Sequence, residues 1–411
     1  MTSPRTPQRR LAAIGTVIAT TVATVMVAGP VAAAPATGDI RVHAGTTAVP
    51  GSYIVVLKDS AVGGRAGTRQ AQVSSQAGSL AARYGGSTGH VYGAALNGFE
   101  ARLSESAAKR LAADPAVAYV EQNYTVTTSV TQTNPPWGLD RIDQPNLPLS
   151  ATYSYVRNGS GVVAYIIDTG IRISHSEFGG RATYGYDAVD GLLPADDCNG
   201  HGTHVAGTVG GRTYGVAKGV RLVAVRVLDC LGSGNLGGVI AGVNWVTSNH
   251  GPGQPAVANM SLGGALNGSI NTAVQNSILD GVSYAVAAGN NNQPACNYSP
   301  AAVGTALTVG ATQSNDIRAS FSNYGTCLDL FAPGVGVLSA WYTSDTATAN
   351  LQGTSMAAPH VAGAAARVLQ GNPGWSPATV HSYITSTATP GVVINPGAGS
   401  PNRLLYLPPT Y

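Results

Sequence analysis

At 411 residues the chain is long enough for more than one folded unit. Charged side chains make up only 10% of it and the net charge is +3, with no dense basic stripe, so nothing points to nucleic-acid binding. The 53 glycines, with abundant Ala, Ser, Thr and Asn, point to a compact, tight-turning fold rather than a disordered chain.

The first 34 residues read as a processing segment. Arg5, Arg9 and Arg10 form a basic flank, an apolar stretch covers 11–28, and Ala32-Ala33-Ala34 suits cleavage after small residues. This is the pattern of a secretory signal peptide over 1–34. A membrane anchor is the alternative for a stretch of this length, and the small residues and proline that follow at once disfavour it. The Arg9-Arg10 pair is shared by many basic leaders and does not decide the export route. Export sets an oxidising context for Cys198, Cys230, Cys296 and Cys327, so an even count implies two disulfides. Four cysteines allow three pairings. Sequential pairing would close two loops of about 30 residues, each adding about 3–4 kcal/mol. No CxxC pair supports a metal reading.

Residues 35–129 form the second block. A strand is expected over 51–58, a helix over 69–84, a strand over 97–103 after an Asn-Gly turn, a helix over 104–113 with Ser104 as N-cap, and a strand over 117–121. This βαββαβ-like order suits a small α+β domain, and the block has no nucleophile–base constellation. The Thr-rich stretch 125–136 reads as an exposed linker. The third block, 130–411, alternates apolar strands (162–167, 222–228, 257–261, 283–287, 306–309, 328–331) with helices (204–211, 237–247, and one after Ser355). That alternation implies an α/β fold, a doubly wound and mainly parallel sheet covered by helices on both faces.

The chemistry sits at the ends of these elements. Asp168 closes Ile166-Ile167-Asp168-Thr169-Gly170, and ligand sites of open parallel sheets lie beyond the carboxyl ends of strands. A carboxylate there can hold an imidazole N–H and stabilise the imidazolium that forms. Asp-Thr-Gly also marks aspartic proteases, but their dyad needs a second such carboxylate, and the run occurs once. His201, between Gly200 and Gly202, is the candidate general base. His204 reads as a packing or hydrogen-bonding residue, since no HExxH is present. Ser355, ahead of an Ala-rich helix, is the candidate nucleophile, and its own N–H is free to donate to an oxyanion. Pro359 is expected near the first helical turn. Ala357 stands where a lipase-type GxSxG elbow needs glycine. Asn290, after Ala287-Ala288-Gly289, is the candidate second oxyanion donor. The GxGxxG at 232–237 lacks the acidic residue about 20 positions on that would hold a ribose, so it suits an extended edge that pairs with a peptide backbone.

An acid, a base and a nucleophile in the order Asp, His, Ser match the order in subtilisin. With the runs AYIIDTGIRISHSEFGGRA, DCNGHGTHVAGTVGG, AVANMSLGG, YAVAAGNNN, FSNYGTCLDLFAPG and GTSMAAPHVAGAAA, residues 130–407 closely resemble the subtilisin-like serine proteases, in their proteinase K branch and aqualysin type. Block 35–129 resembles their inhibitory prodomain, a ferredoxin-like fold.

The resemblance implies a secreted, extracellular endopeptidase made as a self-cleaving zymogen and acting on protein and peptide substrates. It makes Asp168, His201 and Ser355 the triad and Asn290 the side-chain oxyanion donor. Ser233-Gly234 and Ser261-Leu262-Gly263 become the edges that grip the substrate backbone. Ala288, Gly289 and Tyr298 become S1 walls suited to apolar or aromatic P1 residues. It pairs Cys198 with Cys230 and Cys296 with Cys327. It implies structural Ca²⁺ at Asp329 with the carbonyls of Gly304 and Ala306, at Asp140, Asp143, Gln144 and Ser150, and at Asp190 with Asp197. The branch often has proline where this chain has Gly304. A monomer is expected, with the prodomain as its own chaperone and inhibitor and no membrane or nucleic-acid partner when mature. The C-terminal pro-segment of the aqualysin type is not expected here.

Overall fold

A computed structural model describes residues 35–43, 48–63, 66–125 and 129–411. The leader expected over 1–34 lies outside them. The chain divides into two compact units, one mainly of residues 50–123 and the other mainly of 124–411.

The first unit runs β1 (Ile40–Arg41), β2 (Ala48–Leu57), α1 (Ala66–Arg83), β3 (Ser87–Tyr92), β4 (Gly98–Arg102), α2 (Glu105–Ala112) and β5 (Val117–Tyr124). Its sheet has the order β1-β5-β2-β4-β3. Tyr53, Val55 and Phe99 from the strands meet Val73, Ala77, Leu80 and Leu111 from the helices in one core. Ser104 caps α2 as expected, its hydroxyl accepting the Ala107 N–H at 3.3 Å. Strand β3 has no counterpart in the sequence reading, because Ser-Thr-Gly-His-Val-Tyr is polar and nowhere fully buried.

The second unit opens with β6 (Val130–Thr133), α3 (Trp137–Ile142), β7 (Thr152–Tyr155), β8 (Val163–Asp168), β9 (Ala182–Asp187), α4 (His201–Gly210), β10 (Arg221–Arg226), α5 (Leu236–Asn249) and β11 (Ala256–Met260). It continues with β12 (Gly264–Ala265), α6 (Gly268–Asp280), β13 (Val282–Ala287), β14 (Tyr298–Ser299), β15 (Leu307–Thr312), β16 (Leu330–Pro333), β17 (Val337–Ala340) and β18 (Thr348–Leu351). It ends with α7 (Thr354–Gly371), α8 (Pro377–Thr387), β19 (Thr389–Pro390) and β20 (Arg403–Leu404).

The main sheet has the order β19-β20-β16-β15-β13-β11-β8-β10-β9, and β9 to β16 pair in parallel within it. Its central strands are buried on both faces, which is why they read as continuous apolar runs. Alternate residues of β8 enter different cores. Ala164 and Ile166 join the α4 and α7 side with Val205 and Val361. Val163, Tyr165 and Ile167 join the α5 and α6 side with Val243 and Val274.

One expectation is overturned. Residues 130–133 are not linker but strand β6, which pairs antiparallel with β7 in the register Val130↔Tyr155 to Thr133↔Thr152. None of its side chains is buried, so it carries no apolar alternation and only its partner reveals it.

Candidate active site

Three parallel strands and two helix starts converge beyond the carboxyl edge of the main sheet. Asp168 is the last residue of β8, and its side chain is fully buried. Its Oδ1 lies 2.7 Å from Nδ1 of His201, the first residue of α4, and also accepts the Thr169 N–H at 2.8 Å. Burial alone would press the His201 ring toward its neutral form. The Asp168 charge and hydrogen bond outweigh that, with a smaller push from Asp197, and hold the imidazole above its ordinary pKa. Gly202, next to the base, has no room for a side chain: a Cβ there would lie 2.2 Å from the Gly170 carbonyl oxygen.

Ser355 is the second residue of α7 and follows Gly353, whose φ of 152° favours glycine. Its hydroxyl donates to the Ser261 carbonyl at 3.0 Å, and the Ser261 hydroxyl donates back to the Ser355 carbonyl at 2.7 Å. Pro359 explains the second bond. It lies inside α7 rather than in the first turn as expected, and it lacks the N–H that would otherwise take up the Ser355 carbonyl four residues back. Asn259 donates to the Ser261 hydroxyl at 2.8 Å and fixes it in turn.

Asn290 follows β13. Its Oδ1 accepts both the N–H and the hydroxyl of Thr354, each at 2.9 Å. With the carbonyl end held by two donors, Nδ2 is left as the donor end, in the same cavity of about 350 Å³ as Ser355. Ala287, Ala288, Gly289 and Tyr298 line that cavity. Leu262 and Gly263 are shared with a second cavity of about 670 Å³, which His201, Ser233, Gly234 and Ser261 also line. The candidate base, nucleophile, amide donor and both glycine-rich edges therefore border one continuous cleft, with the buried acid behind the base. The arrangement can move a proton from a hydroxyl through an imidazole and receive an oxyanion between two N–H donors.

The Subtilase family pattern matches residues 159–404, and the Peptidase inhibitor I9 pattern matches residues 52–129.

The chain is a subtilase.

It is 54% identical over 372 residues to the extracellular serine proteinase of Thermus sp. (strain Rt41A), spanning 88% of this chain and 90% of that one. It is also 54% identical over 322 residues to the alkaline serine exoprotease A of Vibrio alginolyticus, spanning 77% of this chain and 59% of that one. The crystal structure of a cold adapted subtilisin-like serine proteinase superposes with a TM-score of 0.65 at 54% identity, covering 67% of this chain and 98% of that one. The subtilase is a serine endopeptidase with a subtilisin-like catalytic fold behind an I9-type N-terminal unit.

The remaining expected residues of the subtilase fall into place unevenly. Cys198 bonds to Cys230 and Cys296 to Cys327. Asp140, Asp143, Gln144 and Ser150 gather: Asp140 Oδ1 and Gln144 Oε1 both accept the Ser150 N–H, at 2.9 and 3.0 Å. Asp143 Oδ1 is buried with no partner among the described residues, and burial, reinforced by the Asp140 charge, raises its pKa to about 6. An orphaned acceptor beside a second carboxylate and an amide oxygen fits a hard cation. Asp329 Oδ2 accepts the Thr308 N–H at 2.8 Å, which sets its carboxylate beside the segment after Gly304 and Ala306, and His381 Nε2 lies 3.2 Å from Oδ1.

The expected pair of Asp190 and Asp197 does not form a cation site. Asp190 is taken by the Arg226 guanidinium at 2.8 Å. Asp197 accepts five protein donors, from Thr169, Asn199, Gly200 and twice from Thr203, which exhausts the roughly four lone-pair sites of a carboxylate. His204 behaves as read from sequence, with its Nε2 3.0 Å from the Val337 carbonyl. Two supports escaped the sequence reading: Thr354, which pins Asn290, and the Pro359–Ser261 exchange. A proline one turn after the candidate nucleophile was the available signal for the second.

Proposed function

We propose that the protein is exported as a zymogen and cleaves peptide bonds through Asp168, His201 and Ser355, with a broad preference for apolar or aromatic residues at P1. The observation that carries this reading is the 2.7 Å contact of His201 with buried Asp168, in one cleft with Ser355 and Asn290. The Ser355 hydroxyl turns from the Ser261 carbonyl toward His201 and attacks the scissile carbonyl while His201 takes its proton. Asp168 holds the ring and stabilises the imidazolium. The Ser355 N–H and the Asn290 amide receive the oxyanion, His201 returns the proton to the leaving amine, and water then releases the acyl group.

The P1 preference rests on the cavity below Asn290, whose lining of Ala287, Ala288, Gly289 and Tyr298 carries no carboxylate. Ser233-Gly234 and Leu262-Gly263 offer backbone edges on either side of an extended peptide. Structural Ca²⁺ would be held by Asp140, Asp143, Gln144 and Ser150, and by Asp329 with the carbonyls of Gly304 and Ala306, tying loops rather than entering the chemistry. Export is supported by the leader pattern, by the two disulfides, and by a relative named as extracellular. The I9-type unit is the inhibitor of its own enzyme and is released by a cut near Ser129.

Self-processing tests this reading. A Ser355→Ala chain produced in the absence of other proteases is expected to stay at full length. The same mature N-terminus from that variant would overturn it.

A further inference from the structure

The five-donor carboxylate of Asp197 lies outside the triad, and it ties together the two segments that carry Asp168 and His201. Its Oδ1 accepts the Thr169 hydroxyl at 2.9 Å, the Asn199 N–H at 2.9 Å and the Gly200 N–H at 2.8 Å. Its Oδ2 accepts the Thr203 N–H at 2.8 Å and the Thr203 hydroxyl at 2.6 Å. The Thr169 hydroxyl passes the tie on by accepting the Gly202 N–H at 2.9 Å. Thr169 directly follows Asp168, while Gly200, Gly202 and Thr203 surround His201. One buried anion thus satisfies or relays to the N–H groups at the start of α4, where the helix dipole favours negative charge.

We propose that Asp197 is a positioning residue for catalysis, which clamps the Asp168 strand end to the His201 helix start and places a second negative charge at that helix start. The inference rests on the triad reading above. The charged and titratable groups around the ring are Asp168 from β8, Asp197 from the loop before α4, His204 one turn further along α4, and Tyr342, whose ring borders Gly200. Only the two carboxylates favour the imidazolium. Burial keeps His204 neutral, with a pKa of about 4, so it adds no opposing charge.

The test compares matured wild type, Asp197→Asn, Thr169→Val and Ser355→Ala on a peptide amide with an aromatic P1 residue, measuring kcat, KM and the acid limb of kcat/KM. Asp197→Asn removes the charge and turns an amide donor toward Thr203. It is expected to lower kcat about tenfold to a hundredfold with KM little changed, the scale of a misplaced catalytic group, and to move the acid limb to lower pH. Thr169→Val cuts the clamp but keeps the charge, so kcat should fall while the acid limb stays. A purely structural Asp197 would lower stability and leave the acid limb of the folded fraction in place, and that result overturns the proposal. Should Asp197→Asn not fold, wild-type kcat in Thr169→Val overturns it instead. If Ser355→Ala is as active as wild type, the triad reading itself has failed and this inference falls with it; an inactive Ser355→Ala confines any failure to Asp197.

Discussion

Asn290 shows how a single side chain becomes a dedicated donor: two hydrogen bonds from Thr354 hold its carbonyl end, so only the amide end remains for the cleft. Replacing it with alanine is expected to lower kcat by roughly a hundredfold to a thousandfold with KM little changed, the cost of one oxyanion donor. Steady-state kinetics on a peptide amide checks this, and an equal loss confined to KM would contradict it. At this scale the sequence was most legible where chemistry and backbone constraint coincide. His201 sits between glycines, Ser355 lies two residues after a glycine at positive φ, and Asp168 ends an apolar strand. Asp197 was misread as a cation ligand. Its donors come partly from Thr169, 28 positions earlier, and spacing along the chain does not reveal that meeting.

Helices α4 and α7 run through the interior and carry histidines there. His204 and His360 are almost fully buried, and desolvation brings both to a pKa of about 4. Because the unfolded chain binds these protons near pH 6.5 and the folded chain does not until about pH 4, unfolding takes up protons between the two values. Stability is therefore fully present above the unfolded pKa and falls as pH drops through that window, each ring contributing on the order of 3 kcal/mol. Denaturant midpoints across the window, compared between wild type and His360→Gln, measure the share of one ring. A variant with the same pH slope as wild type would contradict the assignment. The elements themselves were legible in proportion to burial. Strands β8, β11, β13 and β15 show as apolar runs because both faces are covered. Strands β3 and β6, with no fully buried residue, left no such trace.

Over the whole molecule, the catalytic unit places its chemistry at one edge of a sheet and holds the surrounding loops by covalent and ionic ties. Cys198–Cys230 joins the segment before His201 to the segment before Ser233, so two of the segments that line the larger cavity share one crosslink. The calcium sites proposed above would act in the same way on the loops around Asp140 and Asp329. Chelation is expected to lower the melting temperature, since a site filled at a hundred times its dissociation constant contributes about 2.7 kcal/mol. An unchanged melting temperature in excess EDTA would count against both sites. The domain order and the parallel sheet were readable in advance because three chemical motifs and their buried strands recur in one chain order, while the β6–β7 pairing was not, being a meeting of polar segments. The central claim is that Ser355 is the nucleophile of a peptide-cleaving triad. It is tested most directly by hydrolysis of a peptide amide with an aromatic P1 residue, using matured wild type and Ser355→Ala freed of its I9-type unit, side by side. The account predicts a loss of about a million-fold, the size of effect seen when subtilisin loses its own nucleophile, and equal rates in the two proteins would contradict it.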